Sequence, residues 1–433
     1  MQQTLLIESL DQEGRGVARR DGKVVFVEGA LPGEVAEVAS YGSKVTYELA
    51  RMTQLHHESA QRVAPRCAFF TRCGGCSLQH FDARAQIAVK QRVLEDSLWH
   101  IGKVKAETIL PIIHGPEWGY RHRARLSARY VAKKGGMLVG FREKRRSYVA
   151  DMTSCEVLPR RVSDLLPSLR AMLGQLTIRS RVPQVEVAVG ANFIALVLRV
   201  LEDPAPADRQ LLAAFSAKHE VVFYLQPRGP DSARPLDAEF GHEPCYTLPE
   251  FDLTIRFSPT DFTQVNHAVN RVLVRRVIAL LDPQPGERIA DLFCGLGNFT
   301  LAIARRGAAV VGMEGSGTLV ARAAANARDN GLTHLTSFSV ANLFALSEGG
   351  DARLQGFDRM LIDPPRDGAI AVVKALGEGA PRRIVYVSCN PATLARDAAV
   401  LVHARGYRVS GAGVVNMFPH TSHVESMAVF DRE

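Results

Sequence analysis

The apolar and polar positions of the chain fall into three successive patterns. Up to about residue 58 they alternate in short runs such as KVVFVEG (23–29) and GEVAEVASYGSKVTYEL (33–49), broken by the turn formers EGRG, RDGK and LPGE. Such alternation predicts roughly five short strands, a number that fits a small β-barrel of the OB type. From 59 to 260 the pattern is mixed. A helical stretch, DARAQIAVKQRVLEDSLWHIG (82–102), is followed by strands and loops, and LEDPAPADRQ marks an exposed turn before another helix. From 261 to 433 strand-type and helix-type runs alternate, which predicts an α/β domain. Its strands end in polar turns: RIADLFCGLGNFT, AAVVGMEGS, FDRMLIDPPRDG and RRIVYVSCNP, with a closing hairpin after Tyr407. No internal repeat or low-complexity stretch interrupts these patterns.

Composition changes this picture little, since 46% apolar and 23% charged residues are ordinary for a globular protein. The first residues lack a basic stretch followed by an apolar core, so a cytoplasmic protein is expected. The most apolar run, Asn192 to Leu201, is short and contains Arg199, so no membrane association is expected. Charge says more. Between Arg121 and Arg146 lie seven Arg and three Lys against the single acid Glu143, a larger surplus than the whole chain's +8. Tyr120, Tyr130, Phe141 and Tyr148 are interleaved with them, as expected of a surface that neutralises phosphates and stacks bases. A solvated face of a β-rich domain would have similar composition.

Strand ends carry the candidate chemistry. DLFCGLGNFT places Gly295 and Gly297 between a strand and a helix, and Glu314 ends the next strand, where a carboxylate can accept both ribose hydroxyls. Thr300 stands where a dinucleotide site has its third glycine, which favours S-adenosylmethionine over a pyrophosphate ligand. Asp363, in an Asp-Pro-Pro turn, resembles the motif of methyltransferases acting on planar nitrogenous bases. Cys389 ends another core strand and is held by Asn390-Pro391. A thiolate there could add to C6 of a uracil and make C5 nucleophilic, with Glu425 as the base that removes the C5 proton. The chain has seven cysteines, an odd number that argues for metal ligation or catalysis rather than disulfides. Cys67, Cys73 and Cys76, with Cys155 as a fourth, suit zinc or an iron–sulfur cluster, and spacing does not separate the two. Cys245 is left over as structural, and Cys294 is given no chemistry.

DFTQVN, DLFCGLGNFT, DPPR, SCNP and HTSHVE occur in the order found in the bacterial RNA (uracil-C5)-methyltransferase family, which the catalytic half therefore resembles. The resemblance implies Cys389 as nucleophile and Glu425 as base. It implies that Gln264, Phe293, Asn298, Glu314, Asn342 and Asp363 bind S-adenosylmethionine and that Phe262 meets the RNA base. Family members more often have Asp-Pro-Ala-Arg where this chain has Pro365. CGGC-x2-QH resembles the family's [4Fe–4S] segment, implying Cys67, Cys73, Cys76 and Cys155 as ligands. Residues 1 to 58 resemble a TRAM domain, and barrel plus cluster together point to the branch acting on 23S ribosomal RNA, with no obligate protein partner.

The expectation is thus a Rossmann-like S-adenosylmethionine methyltransferase domain, an OB-type barrel and a mixed α/β iron–sulfur region. Arg121, Arg123 and Arg125 are expected to hold RNA. Three rivals stay open: the same chemistry on another rRNA or tRNA uridine, an amino-group methyltransferase that would need neither Cys389 nor Glu425, and a non-enzymatic iron–sulfur RNA-binding protein.

Overall fold

The computed structural model describes residues 3–432. The alternating N-terminal runs become β1 (Gln3–Leu6), β2 (Ser9–Leu10), β3 (Gly16–Arg20), β4 (Lys23–Glu28), β5 (Val35–Ser43) and β6 (Tyr47–His57). They form one sheet in the order β1-β5-β6-β4-β3-β2, coiled by register shifts between β5 and β6. The sixth strand beyond the expected five is the two-residue β2. Alternate residues Ala18, Val25, Val27, Val38 and Ala50 turn inward with Ile7 to make its small core.

After the cysteine-rich loops comes α1 (Ala83–Ser97), started by Asp82, whose carboxylate accepts the backbone N–H groups of Arg84 and Ala85. The middle sheet contains β7 (Arg123–Val131), β8 (Gly136–Gly140), β9 (Gln184–Val189), β10 (Ile194–Arg199), β11 (Val221–Gln226) and β12 (Arg234–Pro235). Its order is β12-β11-β10-β9-β7-β8, and α2 (Arg160–Gln175) and α3 (Pro206–His219) pack on it.

The last part opens with a hairpin, β13 (Cys245–Leu248) and β14 (Leu253–Arg256), and α4 (His267–Leu281). Then β15 (Arg288–Leu292), α5 (Thr300–Ala304), β16 (Ala309–Glu314), α6 (Gly317–Asp329) and β17 (Thr336–Val340) alternate. They are followed by β18 (Arg359–Ile362), α7 (Ile370–Ala375), β19 (Arg383–Ser388), α8 (Pro391–Arg405), β20 (Arg408–Val415) and β21 (Glu425–Asp431). The sheet order is β17-β16-β15-β18-β19-β21-β20, parallel except for β21, which runs against both neighbours. Strand order reverses between β15 and β18, where open α/β sheets bind ligands beyond the strands' carboxyl ends.

Packing cuts across the expected boundary at residue 260. Leu94 of α1, Leu98 just after it and the segment Val104–Ala106 share a core with β18, β19, α7 and α8. Ile109 and Ile113 then bridge to Ala412 and Val415, extending the catalytic sheet beyond β20. Tyr246, Leu248, Leu253 and Ile255 of the hairpin likewise join the core of α4 and β15. A period of apolar residues specifies an element and its inner face, but not which sheet that face meets. Among the described residues no helix is long and apolar enough to cross a membrane.

Candidate active site

A cavity of about 820 Å³ opens at the carboxyl ends of β15, β16, β18 and β19, within the size range of small-molecule sites. Gln264, Phe293, Asn298, Glu314, Asn342, Asp363, Cys389 and Glu425 all line it, and Phe262 stands at its wall with 70% of its surface exposed. Positions spread over more than 160 residues of sequence therefore meet in one place. Phe293 adopts a left-handed backbone (φ 62°), costly for a side chain with a Cβ and typical of functional turns. Its N–H and that of Cys294 both donate to Met313 O, which fixes the turn to β16. Glu314 accepts from Gly295 N (3.3 Å) and Ser316 N (3.0 Å), so its carboxylate spans the glycine turn and the start of α6. The Asn298 amide is paired reciprocally with Asn270 and accepts from Tyr246 Oη, an arrangement that rigidifies the wall.

The juxtaposition of Cys389 and Glu425 follows from strand register. Ser388 on β19 pairs with Ser426 on β21, and one further step of that antiparallel register sets Cys389 across from Glu425. Asp363 follows Ile362 at the end of the adjoining β18. Beyond Ser388 the chain turns because Asn390 caps α8 through Ala392 N while its amide donates to Arg366 O. Burial, then the charges of Glu425 and Asp363, push the Cys389 thiol up to about 11, and Arg366 opposes this. Burial raises Glu425 to about 7 against the pull of Arg366 and Lys90, and burial with Glu425 and Asp291 nearby holds Asp363 well above its ordinary value. Such an acid-rich crevice favours a ligand that carries positive charge. Arg366, His423, Phe418, Tyr246 and Phe344 also line the cavity and were not singled out from sequence. Arg366 and His423 lie inside the DPPR and HTSHVE runs, so the signal was present. Tyr246 and Phe344 had no motif to announce them.

The loop carrying Glu425 is fastened to the region of the cysteines. The N–H groups of Ser77 and Leu78 both donate to His420 O, and His420 N donates to Gln86 Oε1 (each 2.9 Å). Ser422 N donates to Ser77 Oγ, and Tyr120 Oη donates to Pro419 O. Trp118 stacks on the His420 ring with centroids 3.8 Å apart, and His420 has a left-handed backbone (φ 63°).

Cys73, Cys76 and Cys155 are buried in the core of the middle domain, with Cys67 half-buried against them. Burial raises the thiols of Cys73, Cys76 (to about 11) and Cys155 (to about 12), and each of these also feels its cysteine neighbours. Gly75 N donates to Cys73 Sγ (3.4 Å), and both ring nitrogens of buried His80 lack a partner among the described residues. Among those residues no three His, Cys, Asp or Glu side chains converge closely enough for a single metal ion. Sulfurs around one zinc would lie about 3.8 Å apart, given Zn–S bonds of about 2.3 Å.

The three arginines expected to hold RNA have different settings, and none lines the catalytic cavity. Arg125 is largely exposed (67%) and borders a second cavity of about 900 Å³ between the barrel and the middle domain, together with Arg15, Arg142, Lys144 and Arg145. Arg121 lies over the Phe141 ring, and its charge acts on Cys73 and Cys76. Arg123 turns inward: it donates to Thr260 O (2.7 Å) and faces Glu186, tying β7 to the loop that presents Phe262.

Residues 83–433 match the family model described as tRNA (Uracil-5-)-methyltransferase, and residues 2–39 match the TRAM domain. The chain is 60% identical over 428 residues to the 23S rRNA (uracil(1939)-C(5))-methyltransferase RlmD of Aromatoleum aromaticum, covering 99% of each. It is 59% identical over 425 residues to the protein of the same name from Dechloromonas aromatica, covering 98% of each. The crystal structure of Pyrococcus abyssi tRNA (uracil-54, C5)-methyltransferase in complex with S-adenosyl-L-homocysteine superposes with a TM-score of 0.75 at 24% identity. It covers 99% of this chain and 100% of that one, a likeness of fold.

Proposed function

The chain belongs to the tRNA (Uracil-5-)-methyltransferase family, and from that premise we propose that Cys389 and Glu425 methylate C5 of uridine 1939 in 23S ribosomal RNA, the target named for its relatives. One observation carries the assignment of residues: the β19–β21 register that sets Cys389 opposite Glu425 in the wall of the cofactor-sized cavity. Bound S-adenosylmethionine supplies an electrophilic methyl group. Glu314 would accept its ribose hydroxyls, and Gln264, Phe293, Asn298, Asn342 and Asp363 would line the rest of its place. The acidic wall of Glu314, Asp363 and Glu425 would favour the cofactor's sulfonium and ammonium charges.

The Cys389 thiol, held up by burial and by two carboxylates, needs positive charge beside it to ionise, and Arg366 supplies it. The target uridine leaves its stack to enter the cavity, with Phe262 at the entrance. Cys389 Sγ bonds to C6, and the electron pair displaced from the C5–C6 double bond makes C5 nucleophilic. After C5 has gained the methyl group, Glu425 takes the C5 proton. The double bond re-forms, the C6–S bond breaks and the Cys389 thiolate is released. Glu425 suits the last proton transfer because it titrates near neutrality.

Cys67, Cys73, Cys76 and Cys155 would hold a [4Fe–4S] cluster. Three buried thiols with a half-buried fourth, an N–H···S contact, a His80 ring without a partner among the described residues and the cations Arg121 and Lys144 beside them support this reading. The likeness of the CGGC-x2-QH segment to the family's cluster-binding segment favours [4Fe–4S] over zinc. Its chemistry there is structural, since the methylation moves no net electrons.

The test is a covalent trap. A 23S ribosomal RNA fragment with 5-fluorouridine at the target cannot lose a C5 proton, so the C6–S adduct should persist on a denaturing gel. The adduct should vanish with Cys389→Ala. Its persistence in that variant would refute the nucleophile, and an adduct with transfer RNA alone would refute the substrate.

A further inference from the structure

Lys90 sits in α1, outside every motif that marks the site, and is 2% exposed. Its ammonium donates to Asn416 Oδ1 and Phe418 O, both 2.8 Å away. These acceptors lie on the loop leading to Glu425, and Asn416 follows Val415, the cross-strand partner of Glu425. Two neutral acceptors alone do not account for a buried lysine, because an amide would satisfy them without the cost of desolvating a charge. Burial lowers the Lys90 ammonium to about 7, and among the described residues Glu425 is the acid that opposes this and favours its charge.

We propose that Lys90 is a positioning residue for the reaction: its ammonium keeps the neighbouring Glu425 carboxylate ionised and its two hydrogen bonds hold the loop from which Glu425 projects. The proposal rests on the reading of Glu425 as the base. Glu425 is faced by Arg366 and Asp363 from the turn after β18, by Cys389 at the end of β19, and by Lys90 from α1. His420 and His423, on the same loop, feel Lys90 as a further positive charge, and both are held neutral mainly by burial. Arg366 is exposed and donates to His423 Nδ1, whereas Lys90 is walled off from solvent. Of the two cations, the lysine therefore acts on Glu425 with less screening.

Proton removal is the last covalent step, so a defect confined to it leaves earlier steps intact. In Lys90→Met, the acid limb of the kcat–pH profile should move up by about one pH unit, with turnover falling about fivefold at neutrality and about tenfold well below it, and KM little changed. Trapping on 5-fluorouridine RNA should proceed at the wild-type rate, and ordinary uridine RNA should accumulate a covalent intermediate. Lys90→Arg, keeping the charge, should leave the limb in place, while Lys90→Gln, keeping hydrogen bonds alone, should move it. An unmoved limb in both Met and Gln variants would overturn the proposal, as would equal loss of trapping and turnover in every variant including Arg. Glu425→Gln separates the two readings: if it turns over normally, Glu425 is not the base. If it traps fluorinated RNA but does not turn over, the base stands and the Lys90 variants decide the rest.

Discussion

Gln86 offers the sharpest test of how the catalytic loop is held. It is 1% exposed, and its amide donates to Leu78 O (3.0 Å) and Phe81 O (2.8 Å) while its carbonyl accepts His420 N (2.9 Å). Gln86→Leu keeps nearly the same volume but leaves three buried backbone groups without this partner. At about 1 kcal/mol for each of the three hydrogen bonds lost, the loop loses about 3 kcal/mol of local stability. Because every 1.4 kcal/mol is a factor of ten, opening of the loop should become about 100-fold more frequent. Hydrogen–deuterium exchange of peptides covering 416–425 should accelerate by that factor, while peptides in β15 and β16 keep their rates. Turnover should fall more than trapping of 5-fluorouridine RNA, since trapping does not need the base. Exchange within about threefold of wild type over 416–425 would refute the argument that this amide fastens the loop.

Two further outcomes follow from the geometry. Arg125→Ala should weaken RNA binding and lower the salt slope by about one, whereas Arg123→Ala should leave the salt slope alone and lower thermal stability by freeing Thr260 and uncovering Glu186. A reduced slope in Arg123→Ala would contradict its inward setting. Asp291 gives a pH dependence: its folded carboxyl is raised from 3.8 to about 7, chiefly by burial, so the fold prefers it protonated. Ionising it costs stability progressively between those two values and fully above the higher one. Asp291→Asn should therefore raise the unfolding temperature of the cofactor-free protein at pH above 7 and have little effect below 4; an effect of the same size at both would refute the assignment.

Much of the catalytic half was legible because each parallel strand ends in a short polar run, and the sheet brings those ends together whatever the distance in sequence. Glu314, Asp363 and Cys389 could be read in this way, whereas Glu425 opens the antiparallel β21 and could be reached only through the closing hairpin. The supporting shell could not. Lys90 and Gln86 look like ordinary polar residues of an amphipathic helix, and only the packing of α1 against β20 and α8 reveals them as buried. Arg123 and Arg125 are identical in kind and both lie beside Glu186, yet one is enclosed by the Thr260 loop and the other faces solvent. Charge density along a chain does not carry that distinction. The attachment of residues 104–113 to the catalytic sheet escaped for a similar reason, since its two bridges at Ile109 and Ile113 are too sparse to give a strand pattern.

The fastening of His420 to Ser77, Leu78 and Gln86 also sets when the protein acquires its chemistry. These partners lie more than 330 positions apart. At a synthesis rate of about 5–20 residues per second, roughly 15–70 s separate their appearance on the ribosome. Throughout that interval α1 is without the hairpin that covers Gln86 and Lys90, and Cys389 is without Glu425. Under the proposed mechanism, a nascent chain lacking its last strand is unable to complete a turnover. Competence to modify arrives last and all at once, when the final strand inserts between β19 and β20.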